Sequence, residues 1–244
     1  AGNLSVYALD SSGAVWGWGD NYFGQLGTNA PAQGRAETPV RVAGVSNVRQ
    51  VSAASQNAYF LFADGSVWSV GLGGAPLGTG SPTQPDTSTP VQVTGLSGVT
   101  QIAGRAGGGI ALKDDGTVWS WGVDYSGALG SGTTPVPPRW SPGVPEYSSA
   151  TPVQVARLTG KTVTSVAGFL SGGMALTSDG AVFAWGDGVS GTLGDGASTS
   201  RSVATPGPAA PASEPREATR PDRRLVGLDV ARSLALLGMV ATHV

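Results

Sequence analysis

The sequence predicts an all-β fold: a partial β-propeller of about 3.5 blades of four antiparallel strands, followed by a flexible linker and one C-terminal helix. Three observations predict it. First, the string Gly-x-Val-aromatic-x-x-Gly occurs four times, at 13–19, 65–71, 116–122 and 180–186, with first glycines 52, 51 and 64 residues apart. A period near 50 residues belongs to propellers and solenoids. Second, each copy is followed at a similar distance by Leu-Gly: Leu26-Gly27, Leu77-Gly78, Leu129-Gly130 and Leu193-Gly194. Third, the 39 glycines recur at fixed sites, which argues for turns and close backbone approach and against disorder.

Each unit carries four strand signals in order. A short apolar segment ends in Leu9, Leu61, Leu112 or Leu176. A tight turn follows, Asp64-Gly65, Asp115-Gly116 or Asp179-Gly180, with Ser12-Gly13 in the first copy. Asp-Gly between apolar runs is a hairpin signal because the turn needs positive φ. The second strand is the Val-aromatic segment, in which Trp16 and Trp18, or Trp119 and Trp121, lie two apart and share one face. After the Leu-Gly loop comes Thr38-Pro39-Val40, Thr89-Pro90-Val91 or Thr151-Pro152-Val153, with proline where no ladder N–H is needed. The fourth strand signal spans 48–53, 99–103 or 163–167. One blade cannot bury its own faces. Trp16, Trp18, Trp68, Trp119, Trp121 and Trp185 are therefore read as structural repeat residues that fill the space between blades.

These units resemble the repeats of the regulator-of-chromosome-condensation (RCC1-like) family in their bacterial form. The matching residues are the Gly-x-Val-Trp-x-Trp-Gly segments, the Leu-Gly loops and the Thr-Pro-Val-x-Val strands, across residues 1–202. The resemblance implies a seven-bladed propeller, of which this sequence holds a part. The histidine the family often carries in the first strand is replaced by Ser5, Asn57, Gly108 and Gly172. Eukaryotic members exchange nucleotide on a small GTPase, but no exchange element is recognisable here. Protein binding through a propeller face is what the bacterial resemblance implies.

The repeats are incomplete at both ends of 1–202, so unpaired blade edges and self-association are expected. Past Gly196 the pattern is expected to fail. Residues 203–222, rich in Pro, Ala and charge, read as a linker. Residues 223–244 read as an apolar helix in which Asp229 and Arg232 would share one face, and 225–244 is the length of a membrane span. The segment resembles the start of the first transmembrane helix of heparan-glucosaminide acetyltransferase-like bacterial proteins. The other reading is an amphipathic C-terminal helix. Arg216, Arg220, Arg223 and Arg224 would hold the tail on the cytoplasmic side. Propellers of this kind are often exported, so the abrupt change near residue 203 reads as a junction of two proteins, fused or misjoined. The sequence alone leaves localisation open: membrane-associated is expected if 225–244 inserts, and exported or cell-surface otherwise.

The chemistry is sparse. The single histidine is His243, there is no cysteine, and the lysines are Lys113 and Lys161. Residues 1–202 therefore offer no Ser-His pair, no Cys nucleophile and no His/Cys metal cluster, and neither a catalytic site, a metal nor a cofactor is expected there. Asp64, Asp115 and Asp179 read as turn residues. Asp20, Asp124 and Asp187, just after the Trp-Gly, read as loop residues. With 9 Lys+Arg against 12 Asp+Glu and no basic stripe, residues 1–202 do not read as a nucleic-acid binder.

Between Leu-Gly and Thr-Pro the third repeat is 10 residues longer than the first two. The extra stretch carries Arg139, Trp140 and Tyr147 among prolines. Such insertions map to one face, often the binding face, and Arg, Trp and Tyr are interface anchors. They are the candidate partner-binding residues, although Trp140 folded back over a blade edge is the competing reading. The function expected is a non-catalytic protein-binding or scaffolding module. The alternatives are the N-terminal part of a membrane acyltransferase-like protein and a carbohydrate- or cell-wall-binding propeller.

Overall fold

The computed structural model describes residues 5–28, 34–132 and 147–207. Arg139 and Trp140, the linker beyond 207, and the 223–244 segment with its membrane reading lie outside the described residues. Among the described residues no helix is long and apolar enough to cross a membrane.

Fifteen strands occur in chain order. They are β1 (Ser5–Leu9), β2 (Val15–Asp20), β3 (Arg35–Arg41), β4 (Val48–Ala53), β5 (Asn57–Phe62), β6 (Val67–Gly71), β7 (Thr87–Gln92) and β8 (Val99–Arg105). They continue as β9 (Gly108–Lys113), β10 (Val118–Val123), β11 (Ser148–Gln154), β12 (Val163–Phe169), β13 (Gly172–Thr177), β14 (Val182–Gly186) and β15 (Arg201–Pro206). They form one three-stranded sheet, β1-β2-β3, and three four-stranded sheets, β4-β5-β6-β7, β8-β9-β10-β11 and β12-β13-β14-β15. Every pairing is antiparallel and between chain neighbours, which is the up-and-down order of a propeller blade. The all-β partial propeller is thus the fold of the described residues.

Two details differ from the sequence-based expectation. The segment expected as a unit's fourth strand, such as 48–53, opens the next sheet instead. β4 pairs with β5 across a short turn, Ala53 opposite Ala58, while β3 and β4 are joined by an unpaired loop. The repeat pattern also does not fail after Gly196. β15 pairs with β14, Gly186 opposite Arg201 and Phe183 opposite Pro206, although Val-x-Val is missing. Ala204, buried, supplies an inward contact, and Pro206 sits on an edge strand that needs no further ladder donor. The boundary expected at residue 202 cuts this strand.

The core is three apolar slabs, one between each pair of successive blades. Val15, Val42, Ala58, Phe60 and Val70 fill the first slab. Tyr59, Leu61, Val67, Ile102 and Trp121 fill the second, and Ile110, Leu112, Val166, Phe183 and Trp185 the third. Strand alternation explains the sharing. Ala58 and Phe60 of β5 face backwards to the first blade, while Tyr59 and Leu61 face forwards to the third.

The indoles divide by position. Trp121 and Trp185, second in their pairs, are fully buried, whereas Trp68 and Trp119 are half-buried and Trp16 lies exposed. The expectation that Trp16 fills an interblade space therefore fails; its indole N–H donates to Asp10 Oδ2 at 3.2 Å. Trp121 stands edge-on to Tyr59 of the preceding blade, with centroids 5.3 Å apart, and donates to the Pro76 carbonyl at 3.2 Å. Trp185 repeats this with the Ala128 carbonyl, also at 3.2 Å. Glycines make the room. A Cβ on Gly78 would lie 2.9 Å from Trp121 Cδ1, and one on Gly109 2.2 Å from its Cζ2. Where Val70 replaces the indole, its cross-strand partner is Ala58 and not glycine, so the layer keeps its volume.

The inner strands β4, β8 and β12 are laced by glutamines. Gln50 Nε2 donates to the Ile102 carbonyl and Gln50 Oε1 accepts from the Ile102 N–H, both at 2.9 Å. One turn of the arc further, Gln101 Oε1 accepts from the Val166 N–H at 2.9 Å. The side-chain amide stands in for the backbone partner that a neighbouring blade cannot offer.

Candidate docking face

Antiparallel order sends two connections of each blade to the same end: the turn from first to second strand and the loop from third to fourth. The Asp-Gly turns lie at the other end. That turn end is occupied by its own backbone. Asp64 Oδ1 accepts from the Ser66 N–H and Asp115 Oδ1 from the Thr117 N–H, both at 2.9 Å, and Asp179 Oδ1 from the Ala181 N–H at 3.2 Å. In the first copy, which has Ser12 at the turn, Asp10 does this work from two positions earlier. It accepts from the Ser12 and Ala14 N–H groups at 2.9 and 3.1 Å. The hydroxyl of Ser12 is the first cause that holds Asp10 at about 2, and the hydroxyl of Thr117 does the same for Asp115. Asp64 and Asp179 are lowered too, first by Ser66 and Thr177. The glycines that follow have φ near +80°, as this turn requires (Gly65, +80°).

The loop end is built differently. Asn21 Oδ1 accepts from the Leu26 N–H at 2.9 Å, and Asp124 Oδ1 from the Leu129 N–H at 2.7 Å. Asp124 therefore shares its repeat position with Asn21, not with Asp20 and Asp187 as the sequence had suggested. Asp187 instead accepts from the Val189 N–H at 3.0 Å. The Tyr7 hydroxyl donates to the Gln25 carbonyl at 2.6 Å, and that of Tyr59 to the Pro76 carbonyl at 2.9 Å. Arg105, buried at the end of β8, donates to the Val123 and Trp121 carbonyls at 2.8 and 2.9 Å, and burial pushes its guanidinium down to about 10. These bonds fix the loops in place before any partner arrives.

Held this way, the loops display apolar side chains to solvent. Tyr22, Tyr125 and Val189 each stand three positions after the glycine that ends the Val-aromatic strand, and they are 66%, 41% and 55% exposed. Leu170, in the β12–β13 turn at the same end, is 65% exposed, and its carbonyl accepts from the Ala106 N–H of the neighbouring turn at 3.2 Å. Tyr147, 37% exposed, enters β11 with its carbonyl accepting from the Asp124 N–H at 2.7 Å, beside Tyr125. Of the sequence-based candidates, Tyr147 is thus placed on this end. Arg139 and Trp140, between β10 and β11 in sequence, lie outside the described residues. Sequence reasoning missed Tyr22, Tyr125, Val189 and Leu170. The constant offset from the strand glycine was the signal for the first three. Among the described residues no group of three or more His, Cys, Asp or Glu is placed to hold a metal.

This is a propeller arc, a binding-module architecture, in which five of the seven exposed large apolar side chains among the described residues stand at the loop end and two, Trp16 and Val182, at the turn end. The regulator of chromosome condensation (RCC1) repeat model matches residues 12–61 and 115–168, and the chain belongs to the RCC1-like repeat family. Human E3 ubiquitin-protein ligase HERC2 is 30% identical over 186 residues, 75% of this chain and 4% of that protein. Rat probable E3 ubiquitin-protein ligase HERC4 is 32% identical over 138 residues, 55% of this chain and 13% of that one. Among solved structures, yeast RCC1 (Prp20) bound to Kap60 superposes with a TM-score of 0.70 at 21% identity, over 84% of this chain and 47% of that one. Human WBSCR16 gives 0.69 at 24% identity, over 84% and 51%. The chain spans about half the length of these structures and a small fraction of the ligases.

Proposed function

We propose that the chain is a non-catalytic protein-binding module whose docking face is the loop end of the blades. The carrying observation is that Tyr22, Tyr125 and Val189 stay exposed at one repeat position while the loops beneath them are pinned by hydrogen bonds. Exposed aromatic side chains on a rigid frame bind at low entropic cost and serve as interface anchors. In the second blade Gly74 stands at the same offset, so that blade displays no side chain there. The family supports a protein as partner. Yeast RCC1 is described in complex with Kap60, and Prp20p of Saccharomyces cerevisiae with binding to Gsp1p and histones. Tyr147, with Arg139 and Trp140 on the same loop, extends the proposed face.

The test is a partner captured by the wild-type chain and then titrated. The triple variant Tyr22→Ser, Tyr125→Ser, Val189→Ser is expected to bind it at least about tenfold more weakly. A control at the turn end, Trp16→Ser with Val182→Ser, also exposed, is expected to bind as wild type. Equal binding by the triple variant sinks the reading.

A further inference from the structure

We propose that Arg105 is the positioning residue of the docking face: its guanidinium clamps the entrance of the third-blade loop, so that Tyr125 and Tyr147 are presented in a fixed arrangement. The inference rests on the loop-end reading for its function. Its geometry rests on the third blade alone, which has a described blade on either side.

One backbone position makes the same demand in three blades. Leu72, Val123 and Asp187 each follow the glycine that ends the Val-aromatic segment and open the long loop. Their N–H groups donate to the neighbouring hairpin, at the Gln56, Gly107 and Ser171 carbonyls, at 3.0, 2.8 and 2.9 Å. Each of their own carbonyls accepts from a side chain, and the donor differs every time. Asn57 Nδ2 serves Leu72 at 2.8 Å, Arg105 Nη1 serves Val123 at 2.8 Å, and the Thr192 hydroxyl serves Asp187.

In the third blade the donor has crossed the hairpin. Asn57 begins β5, and the residue that faces it across the turn is the small Ala54. Arg105 ends β8, and the residue opposite it is Gly108. The fourth blade shows the same exchange of bulk without a donor. Phe169 faces Gly172, and a Cβ on that glycine would lie 2.4 Å from the ring. The Asp187 carbonyl is accordingly served from Thr192, within its own loop. Arg105 also does more than Asn57. Its second arm, Nη2, donates to the Trp121 carbonyl at 2.9 Å, and the whole residue is 3% exposed. Charge-assisted bonds are roughly twice as strong as neutral ones, and the planar fork holds two acceptors at once.

The clamp adjoins the tyrosines. Asp124, the next residue after Val123, donates its N–H to the Tyr147 carbonyl and accepts from the Leu129 N–H through Oδ1, both at 2.7 Å. One residue beyond Arg105's acceptor, the two ends of the loop are thus tied together, with Tyr125 and Tyr147 exposed beside the knot. This is also the repeat whose Leu-Gly to Thr-Pro spacing is 10 residues longer. Closing a longer loop costs more entropy, and the charged, two-armed donor stands in the blade that has it.

The test is amide hydrogen exchange on the full 244-residue chain. Arg105→Met keeps the apolar stem and loses the donors; Arg105→Lys keeps a charged donor. In Arg105→Met the Asp124 and Leu129 amides are expected to exchange at least about tenfold faster than in wild type. The Leu26 and Leu72 amides of the other blades should not change. Arg105→Lys is expected to exchange close to wild type. Wild type alone gives a second readout should the methionine variant fail to fold: the Arg105 Nη protons are expected as separate, slowly exchanging NMR signals. For the partner titrated above, Arg105→Met is expected to bind at least about tenfold more weakly, and Arg105→Lys near wild type. Unchanged exchange in Arg105→Met, equal acceleration in Arg105→Lys, or averaged Nη signals in wild type overturns the proposal. So does wild-type binding by Arg105→Met where the triple serine variant has lost it. Equal binding by the triple variant removes the loop-end reading and the docking role of Arg105 with it, while the exchange rates still report the clamp.

Discussion

Four aspartates, Asp10, Asp64, Asp115 and Asp179, hold the hairpin turns through their charged form, and hydrogen bonds lower all four below the ordinary carboxylate range. A group whose folded pKa is depressed stabilises the fold above its unfolded pKa, and that contribution is lost as pH falls through the folded value. The window therefore runs from about 4, the usual Asp value, down to about 2 for Asp10 and Asp115. Urea midpoints measured across that range are expected to fall with pH in wild type. They should fall less steeply in Asp64→Asn, Asp115→Asn, Asp179→Asn, where the amide oxygen still accepts but no longer titrates. Three of these four residues were legible as Asp-Gly turns. Asp10 was not, because the first copy carries Ser12 at that position and the carboxylate reaches in from two residues away. Gln50 and Gln101 were legible only as a spacing of one repeat. Their partners, the Ile102 and Val166 backbones, lie in another blade, and no local pattern shows that.

At the scale of strands, the hairpin, its turn and the Val-aromatic strand could be read directly, since alternation and Asp-Gly chemistry are local. The grouping of strands into sheets could not, because β4 follows β3 in sequence but pairs with β5. Cross-strand volume was equally hidden: Trp121 faces Gly109, Trp185 faces Gly173, and Val70 faces Ala58. That trade is testable. Gly109→Ala alone drives a Cβ to 2.2 Å from Trp121 Cζ2, and overpacking of this kind costs about 1–3 kcal/mol. Trp121→Val alone empties part of the slab. Together they rebuild the Ala–Val pair of the second blade, so the double variant is expected to lose about 0.5–3 kcal/mol less than the sum of the singles. Denaturation midpoints of the four proteins in the cycle measure it, and strict additivity rejects the pairing.

For the whole molecule, stability resides between blades more than within them, since all three core slabs straddle two sheets. In such an array total stability approximates intrinsic blade terms plus nearest-neighbour interface terms, and cooperativity lasts only while the interfaces outweigh the blades. The third slab depends on Trp185, which is fully buried and anchored to Ala128. Trp185→Ala removes roughly 3–5 kcal/mol of packing, nearly all of it from one interface. The last blade is then expected to unfold first. Amides of β12 to β15 should exchange at lower free energy than those of β4 to β11, and chemical denaturation should show two steps. Trp121→Ala weakens the second slab by a similar amount but should split the arc between its second and third blades, leaving β8 to β15 together. A uniform shift of one transition in both variants would mean that the blades do not act as separate units joined by indoles.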